Sequence, residues 1–300
     1  MLEAPFFSQT LLPITLFLIT LSIATTLELA DFKNIFRHPK PVSIGLVAQM
    51  VLLPAVGFLI AFVFPLPAPM QVGLIIIAAA PGGATANLIN HLLRGNVALS
   101  LTLTALNSVL ILVSIPLLVG LALRVFLGEG NTVQLPLHTA LQEILLVTIV
   151  PTTLGVVVRT KFRALAERLE PPLRIALPIL LAVVFLGVIF LDPSETPLGL
   201  SDYTGVFLPT LLLNLSTMLV GFYFSRFAGL SRRNSFTISI EVGLHNSALA
   251  VFIAASLLGS KELAVVPLVY ATFSFFTTAG MGYLLKTYTP RVLRKAPVNR

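Results

Sequence analysis

Three side chains of different chemistry and one glycine interrupt one apolar stretch, SFTISIEVGLHNSALAVFIAASLL: the carboxylate of Glu241, the imidazole of His245, the amide of Asn246, and Gly243. A second stretch, IIIAAAPGGATANLINHLL, is broken by Pro81, Gly82 and Gly83 and carries Asn87 four residues past the last glycine. Ser100 and Thr104 follow at i and i+4, so their hydroxyls share a helix face. Gln49 is a lone amide in an earlier apolar run. Amide, hydroxyl and carboxylate oxygens are hard ligands that suit a hard cation, whereas an imidazole nitrogen suits softer metals. Each residue also has a plainer use. Asn87 and Asn246 suit capping of a half-helix, Ser100 and Thr104 can bond the carbonyl of the preceding turn, and Gln49, Asn107 and Asn214 can join helices.

The depth of these residues sharpens the choice. Nine apolar runs are expected to span a bilayer: about 8–29, 42–64, 71–93, 97–127, 136–158, 175–191, 204–225, 234–258 and 263–285. Each approaches the ~20 residues a helix needs to cross ~30 Å of hydrocarbon, and the continuous runs exclude a membrane barrel. The fourth run is long enough that it must tilt, kink at Pro116 or protrude. Pro81–Gly83 and Glu241 fall at mid-membrane, where a carboxylate costs at least ~2.5 kcal/mol on insertion scales and needs a compensating partner. Broken helices in the third and eighth spans, which run in opposite directions, point to inverted repeats, split four and five about the loop at 128–135. Non-helical backbone at that depth must be buried in protein or line an aqueous cavity. The half-helix N-termini around Ala84, Thr85 and Asn246 would offer N–H groups to an anion.

Composition agrees with a membrane domain. Of 300 residues, 56% are hydrophobic and 10% charged, with a mean hydropathy of +0.98, against roughly 25% charged in soluble domains. The net charge of +7 reflects topology and not nucleic-acid binding. With the N-terminus outside and the C-terminus cytoplasmic, 17 of the 19 Lys and Arg face the cytoplasm and only Arg124 and Lys261 do not. The expected location is a plasma membrane or a bacterial inner membrane. MLEAPFFSQT has no basic residue and no small-residue cleavage site follows, so the first span is expected to be retained. Tyr203, Tyr223, Tyr283 and Tyr288 lie near span ends, as interfacial anchors do. Zero cysteines exclude disulfides, thiolate metal sites and a catalytic thiol.

Several of these segments resemble the bile acid:sodium symporter family. APGGATAN at 80–87, GNVALS at 95–100 and Thr104 are similar to that family's first broken helix and the helix after it. EVGLHNSALA at 241–250 is similar to the second broken helix, and DFKNIFRHPKPV to the first cytoplasmic loop. The resemblance implies core helices 42–127 and 204–285 moving against panel helices 8–29 and 136–191. It implies import of an organic anion, bile-acid-like or a small carboxylate, driven by one or two Na+. A first sodium site would use Asn87, Ser100, Thr104 and Glu241 with a carbonyl near Ala86. A second would use Gln49, Glu241, the carbonyls of Val242 and Leu244, and residue 245. The family motif has Gln where this chain has His245. One Na+, two Na+, and one Na+ with a proton therefore all stay open.

The substrate acid group is expected near Ala84 and Thr85, with Asn246 and His245 as further contacts. A sodium-independent or proton-coupled transporter or uniporter is the alternative. An intramembrane enzyme is remote, because the histidines are scattered and no G-x-S-x-G, H-E-x-x-H or P-loop pattern occurs.

Overall fold

The computed structural model describes residues 5–128, 137–192 and 198–288; the predicted loop at 128–135 and the basic C-terminal residues lie almost wholly outside them. All described regular structure is helical. Among the described residues, eight helices are long and apolar enough to cross a membrane. They are α1 (Phe7–Ala24), α3 (Pro39–Val63), α6 (Val97–Leu127), α7 (His138–Lys161), α8 (Arg163–Phe190), α9 (Leu200–Phe227), the broken pair α10 (Arg232–Gly243) and α11 (Ser247–Val251, continued to Leu257), and α12 (Lys261–Tyr288). The ninth path is the second broken pair, α4 (Ala68–Ala79) with α5 (Ala84–Leu92). A short helix, α2 (Leu29–Arg37), links α1 to α3. The protein is an all-α polytopic membrane protein.

Burial is graded from rim to centre. Phe62, Leu117, Ile175 and Phe190 are each more than 60% exposed, as lipid-facing side chains are. By contrast every residue from Ser235 to Gly243 in α10 is buried, as is nearly all of α4. The two interrupted helices thus occupy the interior, where unwound backbone can be satisfied by protein. α4 packs between α3, α6 and α12, while α9 packs along α10 and α12. α1 packs chiefly on α7 and α8, and Gly155 sits so close to α1 that a Cβ there would come within 2.4 Å of Ala24 Cβ.

Prolines are accommodated by widened turns. Leu12, Leu53 and Val150 each donate an N–H to the carbonyl five residues back, immediately before Pro13, Pro54 and Pro151. A proline has no N–H to offer and its ring crowds the carbonyl four residues earlier. One extra residue in the preceding turn relieves that clash, which is the origin of a π turn here. The turn before Pro54 contains Gln49.

One boundary departs from expectation. The apolar pattern predicts a sixth span beginning near residue 175, but α8 starts at Arg163 and runs through Pro171 and Pro172. Arg163 Nε donates to Glu167 Oε1 at 2.8 Å, one helical turn apart. Charged residues in that segment therefore extend a helix beyond the apolar run instead of forming a loop.

Candidate functional site

The interrupted helices meet at their breaks. Asn246 N–H donates to the carbonyl of Ala80 at 3.1 Å, joining one break to the other through main chain. Gly82 lies so close to the second break that a Cβ would stand 2.4 Å from the Leu244 carbonyl oxygen and 3.1 Å from that of Glu241. Only a residue without a side chain allows this approach. Asn246 caps α11, its Oδ1 accepting from Leu249 N–H at 3.1 Å. The structure thus supports its capping role directly.

Beside the crossing, oxygens from three helices converge. Ser100 Oγ of α6 lies within hydrogen-bond distance of both Asn87 Oδ1 of α5, at 2.5 Å, and Glu241 Oε1 of α10. Thr104 Oγ1 is 3.3 Å from the same Asn87 oxygen. The Ser100 hydroxyl has one proton for two acceptors. Glu241 is fully buried, and its Oε2 has no hydrogen-bond partner among the described residues. Amide, hydroxyl and carboxylate oxygens gathered in this way suit a bound hard cation. A softer metal has no such support, for no group of three His, Cys, Asp or Glu side chains occurs among the described residues.

The sequence alone does not single out Asn90. Its Nδ2 donates to Ser100 Oγ at 3.1 Å and to Glu241 Oε1 at 3.3 Å, and it is fully buried. The signal that could have found it is its place three residues after Asn87, on the same helix face.

The second set of residues is arranged differently. Gln49 Nε2 donates to the Glu241 carbonyl at 3.3 Å, and Gln49 Oε1 accepts from Asn107 Nδ2 at 2.9 Å. His245 Nε2 lies 2.8 Å from the Val242 carbonyl, and its ring stacks on Tyr270 with centroids 5.0 Å apart and planes 11° apart. Tyr270 OH and Asn214 Nδ2 both donate to the Gly243 carbonyl, the amide at 2.6 Å. Neither Tyr270, a mid-span tyrosine, nor Asn214 is marked by the sequence as part of this cluster. Leu244 continues the break, its carbonyl facing Gly82.

A narrow cavity borders the crossing. Pro81, Gly82, Gly83, Thr104 and Asn246 line one side, and Leu16, Thr20, Thr148 and Thr152 of α1 and α7 the other. Thr104 thus touches both the oxygen cluster and the cavity. The space wide enough for water is about 40 Å³, room for about three molecules at ~10–15 Å³ each. Thr85 is exposed and, like the buried His245, is not among the described residues that line this cavity; the side chain of Ala84 lies outside the described ones.

A profile for the sodium bile acid symporter family matches residues 13–192. The chain belongs to the sodium bile acid symporter family. It is 30% identical over 236 residues to the probable sodium/metabolite cotransporter BASS2, chloroplastic, of Oryza sativa subsp. japonica, covering 78% of this chain and 54% of that protein. It is 30% identical over 286 residues to the uncharacterized sodium-dependent transporter YocS of Bacillus subtilis (strain 168), covering 94% and 84%. It is 31% identical over 245 residues to the P3 protein of Homo sapiens, covering 80% and 49%. The chain spans 54–63% of the length of the plant relatives it matches. Membership of a symporter family removes the intramembrane-enzyme reading.

Proposed function

We propose that this chain is a sodium-coupled symporter that carries an organic anion across the membrane by alternating access. The observation that carries this reading is the convergence of Asn87, Ser100, Thr104 and Glu241 oxygens against a cavity at the helix crossing. Na+ at that cluster would neutralise the buried carboxylate. The cavity beside it borders Gly83, where α5 begins, so an anion there would meet the positive end of that helix. Relatives named as sodium/metabolite cotransporters support the same coupling.

A core of α3–α6 and α9–α12 would move against a panel of α1, α7 and α8. The packing of α1 on α7 and α8 supports this division. So does the cavity, which runs between the two groups of helices and is too tight for an organic anion unless they separate. The basic ends of the helices would face the cytoplasm.

The test is the thermal midpoint of the purified protein in NaCl against choline chloride at equal ionic strength. A ligand at 100 times its Kd stabilises the folded state by ~2.7 kcal/mol, so Na+ should raise the midpoint by several degrees. Glu241→Ala should abolish that increase, and an anion screen should give further stabilisation only when Na+ is present. Equal midpoints in both salts, or an intact Na+ response in Glu241→Ala, would refute the reading.

A further inference from the structure

The family resemblance puts a second cation against the end of α10, and there the carbonyls of Glu241, Val242 and Gly243 are each met by a donor of the protein itself. Gln49 Nε2 donates to the Glu241 carbonyl. Asn214 Nδ2 and Tyr270 OH donate to that of Gly243. Between them His245 Nε2 stands 2.8 Å from the Val242 carbonyl. A carbonyl oxygen only accepts, so this nitrogen carries the proton and the ring's lone pair lies on Nδ1. Nδ1 is buried and has no hydrogen-bond partner among the described residues. Residue 245 therefore presents an N–H edge, not an oxygen, to the carbonyl that a cation would need.

The ring is held in this orientation. It lies flat on Tyr270, whose hydroxyl is tied to Gly243, and Asn214 donates to both that hydroxyl, at 3.0 Å, and the Gly243 carbonyl. Tyr270 is fully buried, so it offers the imidazole a fixed flat surface. The cluster at Asn87, Ser100 and Glu241 differs in that one carboxylate oxygen, Glu241 Oε2, has no hydrogen-bond partner among the described residues. The two places flanking α10 are thus unlike: one keeps an unpartnered carboxylate oxygen, while at the other the carbonyls of Glu241, Val242 and Gly243 are already met by N–H and O–H groups.

We propose that His245 sets the ion stoichiometry of this transporter at one, its imidazole N–H standing permanently where a second sodium ion would bind. This rests on the sodium-coupled reading above. It makes residue 245 a determinant of coupling that contacts neither the substrate cavity nor the first ion.

The number of ions can be counted with Na+ alone. Equilibrium binding of ²²Na+ to the purified chain in lipid nanodiscs should saturate at one ion per chain, with a Hill coefficient of 1. His245→Gln replaces the N–H edge with an amide that can turn its oxygen to the same point. That variant should bind two ions, with a Hill coefficient above 1. Two ions in the unmodified chain would overturn the proposal, as would a single ion in a folded His245→Gln variant. Should the variant fail to fold, the stoichiometry of the unmodified chain still decides. No Na+ bound to the unmodified chain would instead refute the sodium-coupled reading beneath it, so the two failures are distinct.

Discussion

Asn214 shows how one buried amide can hold an unwound segment in place. Its Nδ2 serves the Gly243 carbonyl, Tyr270 OH and Thr278 Oγ1, the last at 2.9 Å, while its Oδ1 accepts from Thr277 Oγ1 at 2.7 Å. Leucine has nearly the same shape and none of these bonds. Asn214→Leu should therefore leave the Gly243 carbonyl with Tyr270 alone and Thr278 Oγ1 without its amide donor, while Thr277 Oγ1 keeps the Phe273 and Ser274 carbonyls, at about 1–3 kcal/mol for each unsatisfied buried group. A thermal midpoint several degrees lower in the absence of ligand is the expected result, and an unchanged midpoint would contradict it. The functional residues legible in the sequence are those that break a pattern. Glu241, His245 and Asn246 stand out because an acid, an imidazole and an amide fall together beside a glycine within one apolar run. Asn90 and Tyr270 do not stand out, since a single amide near a span end and a tyrosine in a span have many ordinary uses. Their roles depend on neighbours that lie on other helices, some of them more than a hundred residues away.

At the level of elements, the crossing depends on how closely two backbones approach. Gly82→Ala would put a Cβ 2.4 Å from the Leu244 carbonyl oxygen, a main-chain atom that cannot rotate aside. Overpacking in a core typically costs ~1–3 kcal/mol, and this case should lie at or above the upper end. At the neighbouring Gly83 a Cβ meets nothing within 4 Å. Gly83→Ala should therefore keep the parent's expression and thermal midpoint, while Gly82→Ala should lower both; equal behaviour of the pair would show that the approach is not limiting. The breaks themselves are legible, because Pro-Gly-Gly inside an aliphatic run removes a backbone donor and two side chains at the point where a helix would need them. The start of α8 is not. Charge and paired prolines at 163–174 look like a loop, yet Pro171 and Pro172 are carried within a continuous helix that opens on the Arg163–Glu167 pair.

Across the whole molecule, the ends of the proposed core and panel are tied together at the face opposite the basic loops. Lys261 of α12 donates to the carbonyl of Asp192, just past α8, and Ser256 donates to the carbonyl of Ser8. Gln9 of α1 donates to the Ser256 carbonyl at 3.1 Å. Asp192 in turn accepts from the N–H groups of Phe7 and Ser8 at the start of α1, at 3.0 and 2.8 Å. In the proposed alternating-access cycle these contacts would hold that face closed, so a Lys261→Met, Gln9→Leu double variant should favour the state open to it. Losing one charge-assisted bond of about 1.5–3 kcal/mol shifts such a balance tenfold or more. The chain has no cysteine of its own, so Thr148→Cys in the cavity is a clean reporter. An impermeant thiol reagent applied from that face should label it faster in the double variant, and equal rates would remove the closing role. The main-chain bond from Asn246 to Ala80 has a wider bearing. A joint made of peptide groups asks of its surroundings only room, which Gly82 provides, so side chains lining the adjoining cavity could be exchanged while the skeleton keeps its shape.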